Sequence, residues 1–185
     1  MVYAHKKKQL KGLQQLEARG AIDLFFADET GFTLTPSVPY GWQPIGERKT
    51  IRSAKGWVAN LFGLLSRQGK LITYSTPHSI NGQFVAECLD EIAERINKPT
   101  VIVLDNAPWH TSELIQERQN AWVQKDLYLF FLPTYSPQLN AIEALWRKIK
   151  YEWLDAEDYA SVSTLKEAIF DIIRKYDSEF HIKFS

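Results

Sequence analysis

Three carboxylates stand where chemistry could use them: Asp28, Asp105 and Glu143. Asp28 directly follows the apolar run Ile22-Asp23-Leu24-Phe25-Phe26-Ala27, and Asp105 directly follows Thr100-Val101-Ile102-Val103-Leu104. If these runs are central parallel strands, their ends set the two acids side by side, where open α/β sheets bind ligands. Taken singly, either Asp reads as a turn residue or a helix cap. The pair is what points to a site. Glu143 lies on a segment where Leu139, Ile142, Trp146, Ile149 and Trp153 recur at three and four, a buried helix stripe. Asn140, Glu143, Arg147 and Lys150 form a polar stripe beside it. Glu143 and Arg147 have the spacing of a surface ion pair worth a few tenths of a kcal/mol; the alternative gathers Glu143 with the two Asp residues.

Three hard oxygen donors and nothing softer suit Mg²⁺ or Mn²⁺. Two such ions about 4 Å apart activate an oxygen nucleophile and neutralise charge on the phosphate and the leaving oxygen during attack on a phosphodiester. In that chemistry Asp28, Asp105 and Glu143 hold the metal, and Arg147 and Lys150 lie along DNA. Asn106, His110 and Asn140 are near enough to assist; His110 reads equally as a hydrogen-bonding residue at a helix start. Glu29 points to the opposite side of an extended chain from Asp28 and stays outside the set. The four His (His5, His78, His110, His181) show no zinc spacing. The single cysteine, Cys88, excludes an internal disulfide or a cysteine-rich cluster and reads as a small buried hydrophobe.

Formal net charge is zero, from 22 basic and 22 acidic residues. A nucleic-acid partner must therefore be met by local patches rather than by the overall field. The aromatic-basic loop Trp42, Arg48, Lys49, Arg52, Lys55 and Trp57 is the candidate patch for a DNA backbone, its plainer reading being a solvated charged hairpin.

The elements that must position these residues follow from periodicity. Residues 6–19 read as a charged helix ended by Gly20, and 22–27 as a buried strand stopping at Asp28. Residues 35–55, with Pro36, Pro39, Pro44, Gly41 and Gly46, are irregular. Residues 57–66 and 70–75 form a hairpin about Arg67-Gln68-Gly69. Then come a helix over 80–97, a strand over 100–104, a helix over 112–125 and a strand over 127–132. A loop bracketed by Pro133 and Pro137 leads to helices over 140–153 and 164–176. Three strands, helix, strand, helix, strand, helix is the order of an α/β, ribonuclease-H-like mixed sheet: three antiparallel strands, then two parallel ones, flanked by helices. At 185 residues this is one domain. The most apolar segment, 57–65, is too short to cross a bilayer, and the basic N-terminus lacks the apolar run of a signal peptide, so a cytosolic chain is expected. The run Gly63-Leu64-Leu65-Ser66-Arg67-Gln68-Gly69-Lys70-Leu71 fails as a phosphate-binding loop: its glycines are one residue too far apart and no Ser or Thr follows Lys70.

Four segments in order carry a resemblance: Phe25-Phe26-Ala27-Asp28-Glu29-Thr30-Gly31-Phe32; Tyr40-Gly41-Trp42-Gln43-Pro44-Ile45-Gly46-Glu47; Val103-Leu104-Asp105-Asn106-Ala107-Pro108-Trp109-His110-Thr111; and 136–146, Ser136-Pro137-Gln138-Leu139-Asn140-Ala141-Ile142-Glu143-Ala144-Leu145-Trp146. Together they resemble the DDE endonuclease domain of mariner-like bacterial transposases, the insertion-sequence 630 family. Thirty-seven residues separate Asp105 from Glu143, a spacing such transposases use. The resemblance implies that Asp28, Asp105 and Glu143 bind two Mg²⁺ or Mn²⁺ ions. It also implies hydrolysis at the ends of a mobile element, then attack of the freed 3′-hydroxyl on double-stranded target DNA, often at a TA step. Ala141 stands where the family commonly has Pro, a change the helix start should tolerate. The expected organisation is a linker helix over 1–20 and the catalytic domain over 21–185. The family's helix-turn-helix region is missing from this arrangement, which points to the second reading frame of a split gene or to a truncated remnant. The partners this implies are transposon-end and target DNA, an upstream helix-turn-helix polypeptide or fused frame, and a homodimer. No membrane is among them, and the location is the bacterial cytoplasm at the nucleoid. Two rivals stand beside this reading: an inactive remnant that only binds DNA or protein, and a ribonuclease-H-type nuclease.

Overall fold

A computed structural model describes residues 2–36, 45–46, 57–107 and 113–182. Helix α1 (Val2–Ala18) precedes β1 (Asp23–Thr33) and the hairpin β2 (Trp57–Ser66)–β3 (Leu71–Thr76). There follow α2 (Gly82–Arg95), β4 (Thr100–Leu104), α3 (Glu113–Val123) and β5 (Leu127–Phe131). A 3₁₀ turn, Pro137–Leu139, leads into α4 (Ile142–Lys148), which continues as a π turn over Ile149–Trp153. A second 3₁₀ turn, Ala156–Ala160, precedes α5 (Val162–Arg174).

The five strands form one sheet in the order β3-β2-β1-β4-β5. β1 pairs antiparallel with β2, and β2 with β3; β1–β4 and β4–β5 are parallel. The expected mixed sheet, three antiparallel strands and then two parallel, is the one found. The hairpin closes at Gly69, which takes the positive φ of 91° that a turn there requires.

Alternation along the strands splits the core between two faces. Phe25, Ala27, Phe62, Leu64, Ile102 and Leu104 face α2 and α3, whose Val85, Leu89, Ile92, Ile115 and Trp122 complete one cluster. Leu24, Phe26, Leu61, Leu65, Val101 and Val103 face the other way, against Leu10 of α1, Ile142, Leu145 and Trp146 of α4, and Leu165 and Ile169 of α5. Cys88 belongs to the first cluster as a buried free thiol, and burial pushes it up to about 12, so it behaves as the hydrophobe its surroundings suggest.

Two expectations are corrected. β1 does not stop at Asp28. Its parallel pairing with β4 ends at Phe26↔Val103, but its antiparallel pairing with β2 carries on through Asp28↔Gly63 to Thr33↔Trp57. The polar residues that read as a turn are held in strand by that second partner. The helix expected over 140–153 starts two residues later, at Ile142, after a 3₁₀ turn over Pro137–Leu139, and its last turn, Ile149–Trp153, widens to π.

Gly63 shows how closely α4 sits on the sheet. A Cβ there would lie 2.5 Å from Cζ2 and 2.6 Å from Cη2 of Trp146, and 3.0 Å from Cδ1 of Ile142. The indole is buried and cannot retreat without moving α4. Gly63→Ala is therefore expected to destabilise the fold by about 1–3 kcal/mol, the usual cost of overpacking a filled core. Urea unfolding measures it; an unchanged midpoint would show that α4 has slack.

Candidate active site

Asp28 lies on the same face of β1 as Phe26, the face that α4 covers. Its ladder partner is Gly63, so Trp146 rests beside it. Glu143 is in the first turn of α4, three residues before Trp146. Asp105 leaves the end of β4, where one of its carboxylate oxygens accepts the Ala107 backbone N–H at 3.1 Å. Two strands and one helix thus bring together the three carboxylates that the sequence singled out.

Their charges bear on one another's protonation. Burial, then the charges of Glu143, Glu29 and Asp105, push Asp28 up to about 8, against the pull of a hydrogen bond from the Glu29 backbone N–H. Glu143 is raised by burial and by Asp105, with Lys150 and Arg147 acting the other way. Among the described residues no three His, Cys, Asp or Glu side chains meet closely enough to hold one ion as they stand. Shared charge, more than contact, marks the cluster.

A pocket of about 470 Å³ is lined by Asp105, Asn106, Asn140, Glu143 and the 132–137 loop; Asp28 lies outside its lining. That loop carries Tyr135, almost fully exposed at 96% and held at φ 56°, a left-handed conformation that a bulky residue seldom adopts. Sequence reasoning marked the loop by its prolines but not Thr134, Tyr135 or Ser136 as lining residues.

Asn140, expected to assist, is a structural clamp. It is buried, and its Nδ2 donates to the Ala27 carbonyl at 3.0 Å, the first carbonyl of β1 past the last β4 pair. This ties the start of α4 to the residue before Asp28 and so fixes Glu143 relative to it. Its Oδ1 is buried without a partner. Asn140→Ala should cost about 1–3 kcal/mol, since the carbonyl it serves is left unsatisfied. Chemical denaturation with and without Mn²⁺ tests this, and a loss below 0.5 kcal/mol (about the error of such a comparison) would remove Asn140 from the scaffold.

Of the basic residues, Lys150 turns inward. Its Nζ lies 5.3 Å from the Phe32 ring centroid, and the charges of Asp28 and Glu143 oppose the desolvation that lowers its pKa. Arg147 is exposed on the next face of α4. The surface ion pair that Glu143 and Arg147 could have formed is not made: no contact within 4 Å joins them, and the i,i+4 pair of this helix is Lys148–Glu152. Asn106 lines the pocket. Trp42, Arg48, Lys49, Arg52, Lys55 and His110 lie outside the described residues, as does the side chain of Trp57.

Residues 23–166 match the family model described as DDE superfamily endonuclease. An uncharacterised Sinorhizobium fredii protein, y4pE/y4sA, is 30% identical over 112 residues, which is 57% of this chain and 78% of that protein. The Mos1 strand transfer complex is similar in structure, with a TM-score of 0.61 at 15% identity over 96% of this chain. The chain spans only 55% of that Mos1 chain. The integrase catalytic core domain of HTLV-2, solved in complex with magnesium in a dimeric form, matches with a TM-score of 0.53 at 15% identity, over 85% of this chain and 88% of that one. At these identities the likeness is one of fold, and the fold is the ribonuclease-H-like sheet of transposase and integrase catalytic domains. No helix among the described residues is long and apolar enough to cross a membrane.

Proposed function

This chain belongs to the DDE superfamily of endonucleases, and on that premise we propose that it is a transposase catalytic domain that cuts DNA and joins the freed end to a target. One observation carries the reading: β1, the end of β4 and the first turn of α4 set Asp28, Asp105 and Glu143 near enough that the charges of Glu143 and Asp105 raise Asp28 and that of Asp105 raises Glu143, with Asp105 and Glu143 lining one pocket.

Mg²⁺ or Mn²⁺, two ions together, would be held by these three side chains. The donor set fits: every ligand is a hard carboxylate oxygen, and a buried acid crowded by like charge is where a divalent cation is stabilised best. Bound there, the ions would lower the proton affinity of an attacking oxygen and neutralise the leaving one. The chain's own residues do the rest. Asn140 and the Trp146–Gly63 contact fix the helix that carries Glu143. Lys150 offers its ammonium to a phosphate oxygen at the inner wall, and Arg147 offers its guanidinium outside. Asn106 lies at the pocket wall, within reach of the sugar-phosphate chain beside the cut.

The proposal extends to partners. The substrate is double-stranded DNA, first transposon ends and then target, as the strand transfer complex of Mos1 suggests by analogy. A helix-turn-helix polypeptide or fused frame would supply end recognition, a second copy of the chain would pair the ends, and the setting would be the bacterial cytoplasm at the nucleoid. The domain proper is taken as 21–185, with α1 as its leading helix.

The test is cleavage of duplex DNA carrying the element's terminal repeats, with Mg²⁺, Mn²⁺ or chelator, beside an RNA–DNA hybrid of the same sequence. Metal-dependent nicks at the repeat ends are expected. A folded protein that cuts nothing with either metal refutes the enzyme and leaves a binding remnant; preference for the hybrid makes it a ribonuclease.

A further inference from the structure

The sequence placed its DNA-contact patch in the loop before β2; among the described residues the structure offers a basic track between α1 and α4. A groove of about 490 Å³ runs between α1 and the start of α4, floored by Leu10, Phe26, Leu139 and Ala144. Lys7, Lys11 and Gln14 line one wall at i, i+4 and i+7, a single stripe of α1, and Arg67 closes the far end. Among its described lining residues there is no carboxylate. Lys7 and Lys11 are exposed, and neither has an ion-pair partner among the described residues. Glu17 lies buried near Arg67, accepts its backbone N–H and offsets part of its charge, so two full positive charges remain.

The groove leads to the carboxylates. It shares Gln138, Ala141 and Ala144 with a neighbouring trough that includes Arg147, and that trough shares Pro137, Asn140 and Glu143 with the catalytic pocket. The Gln138 amide donates to the Tyr3 hydroxyl at 3.3 Å, and Lys6 lies 4.6 Å from the Phe130 ring centroid, so α1 is fastened beside the rim of the pocket. The cations Arg147, Lys7, Lys11 and Arg67 therefore mark one path from the site along α1. Lys7 and Lys11 are about 6 Å apart along the helix, at 1.5 Å per residue, a spacing that adjacent phosphates of one strand can meet.

We propose that this path carries the sugar-phosphate backbone of duplex DNA away from the catalytic pocket, with Lys7, Lys11 and Arg67 as sequence-independent phosphate ligands. The inference rests on the transposase reading and adds to it: α1 is a DNA-holding element of the domain itself. Each phosphate neutralised releases counterions and adds about 0.9 to the slope of log affinity against log salt.

The experiment measures that slope by fluorescence anisotropy on a fluorescently labelled 30-base-pair duplex, in chelator, for the wild type and three variants. Lys7→Gln/Lys11→Gln should lower it by about 2, and adding Arg67→Gln by a further fraction of a contact, at unchanged melting temperature. Lys166→Gln/Arg174→Gln, on the exposed side of α5, should leave it as it was. Because the two lysines are at the surface, the double variant decides the matter even if Arg67→Gln disturbs Glu17. A double variant with the wild-type slope overturns the α1 path while the functional reading stands. A wild type that neither binds nor cuts duplex DNA overturns both.

Discussion

Asp28→Ala, Asp105→Ala and Glu143→Ala are each expected to abolish metal-dependent DNA cleavage, by on the order of 10⁴-fold or more, the scale on which single members of a catalytic unit act. The expectation follows from the pocket that Asp105 and Glu143 line together and from the charge that both place on Asp28. A site that needs all three to hold its ions loses the reaction with any one of them, so double variants should be scarcely worse than singles. None of the three changes removes a core contact; circular dichroism and melting in chelator should show a folded protein. Single-turnover cleavage of end-bearing DNA in Mn²⁺ is the measurement. An Asp105→Ala protein that cuts at the wild-type rate would contradict the assignment outright.

The second large effect is on stability, and its sign can be worked out. Asp28 is raised from an ordinary value near 3.8 to about 8 in the folded chain. Between those values the folded protein holds a proton that the unfolded chain has already released. The stabilisation is therefore complete below about pH 4 and is lost as pH rises to about 8. At 1.36 kcal/mol per pKa unit the metal-free fold should weaken over that window by on the order of 5 kcal/mol. Glu143, raised in the same direction, adds to the trend. Mg²⁺ or Mn²⁺ should reverse it by binding the ionised, folded form, giving roughly 1.4 kcal/mol at ten times the dissociation constant. Asp28→Asn keeps the shape without the charge. It should melt above the wild type in chelator at pH 8 and lose most of the metal response. Melts at pH 5 and pH 8, with chelator and with Mn²⁺, decide it. No metal-dependent shift in the wild type, or a lower melting point for Asp28→Asn, would mean that these acids do not form a metal centre.

What could be read in the sequence was what periodicity and chain breaks encode. The apolar runs before Asp28 and Asp105 gave both strands, and the stripe of Leu139, Ile142, Trp146 and Ile149 gave the buried face of α4, with Glu143 beside it. What could not be read depends on partners distant in sequence. Nothing local in Asp28-Glu29-Thr30-Gly31 says that β2 will hold it in strand to Thr33. Asn140 looks like any polar residue at a helix start until the Ala27 carbonyl is placed against it. Gly63 reads as a weak strand residue, and only the indole of Trp146 explains it. Lys150 belongs to the polar stripe by spacing, yet the π turn and Phe32 bring it toward the carboxylates. The turn over 156–160 does carry a local signal, the reciprocal cap between Asp155 and Asp158.

The parallel pairing of β1 with β4 also governs how the molecule assembles. It joins Asp23–Phe26 to Thr100–Val103 across the whole hairpin and α2. Closing so long a loop costs chain entropy before any contact repays it. The β2–β3 hairpin, closed by a tight turn, can form within microseconds, whereas the central pair must wait for a rare long-range encounter. Folding should therefore be slow for a chain of this size, with the non-local pairing in its rate-limiting step. Its sequel is chronological: the three acids come from β1, the end of β4 and α4, so no early intermediate owns a complete binding site. Divalent ions added during refolding should leave the folding rate nearly unchanged and act on unfolding, slowing escape from a native state that alone can hold them.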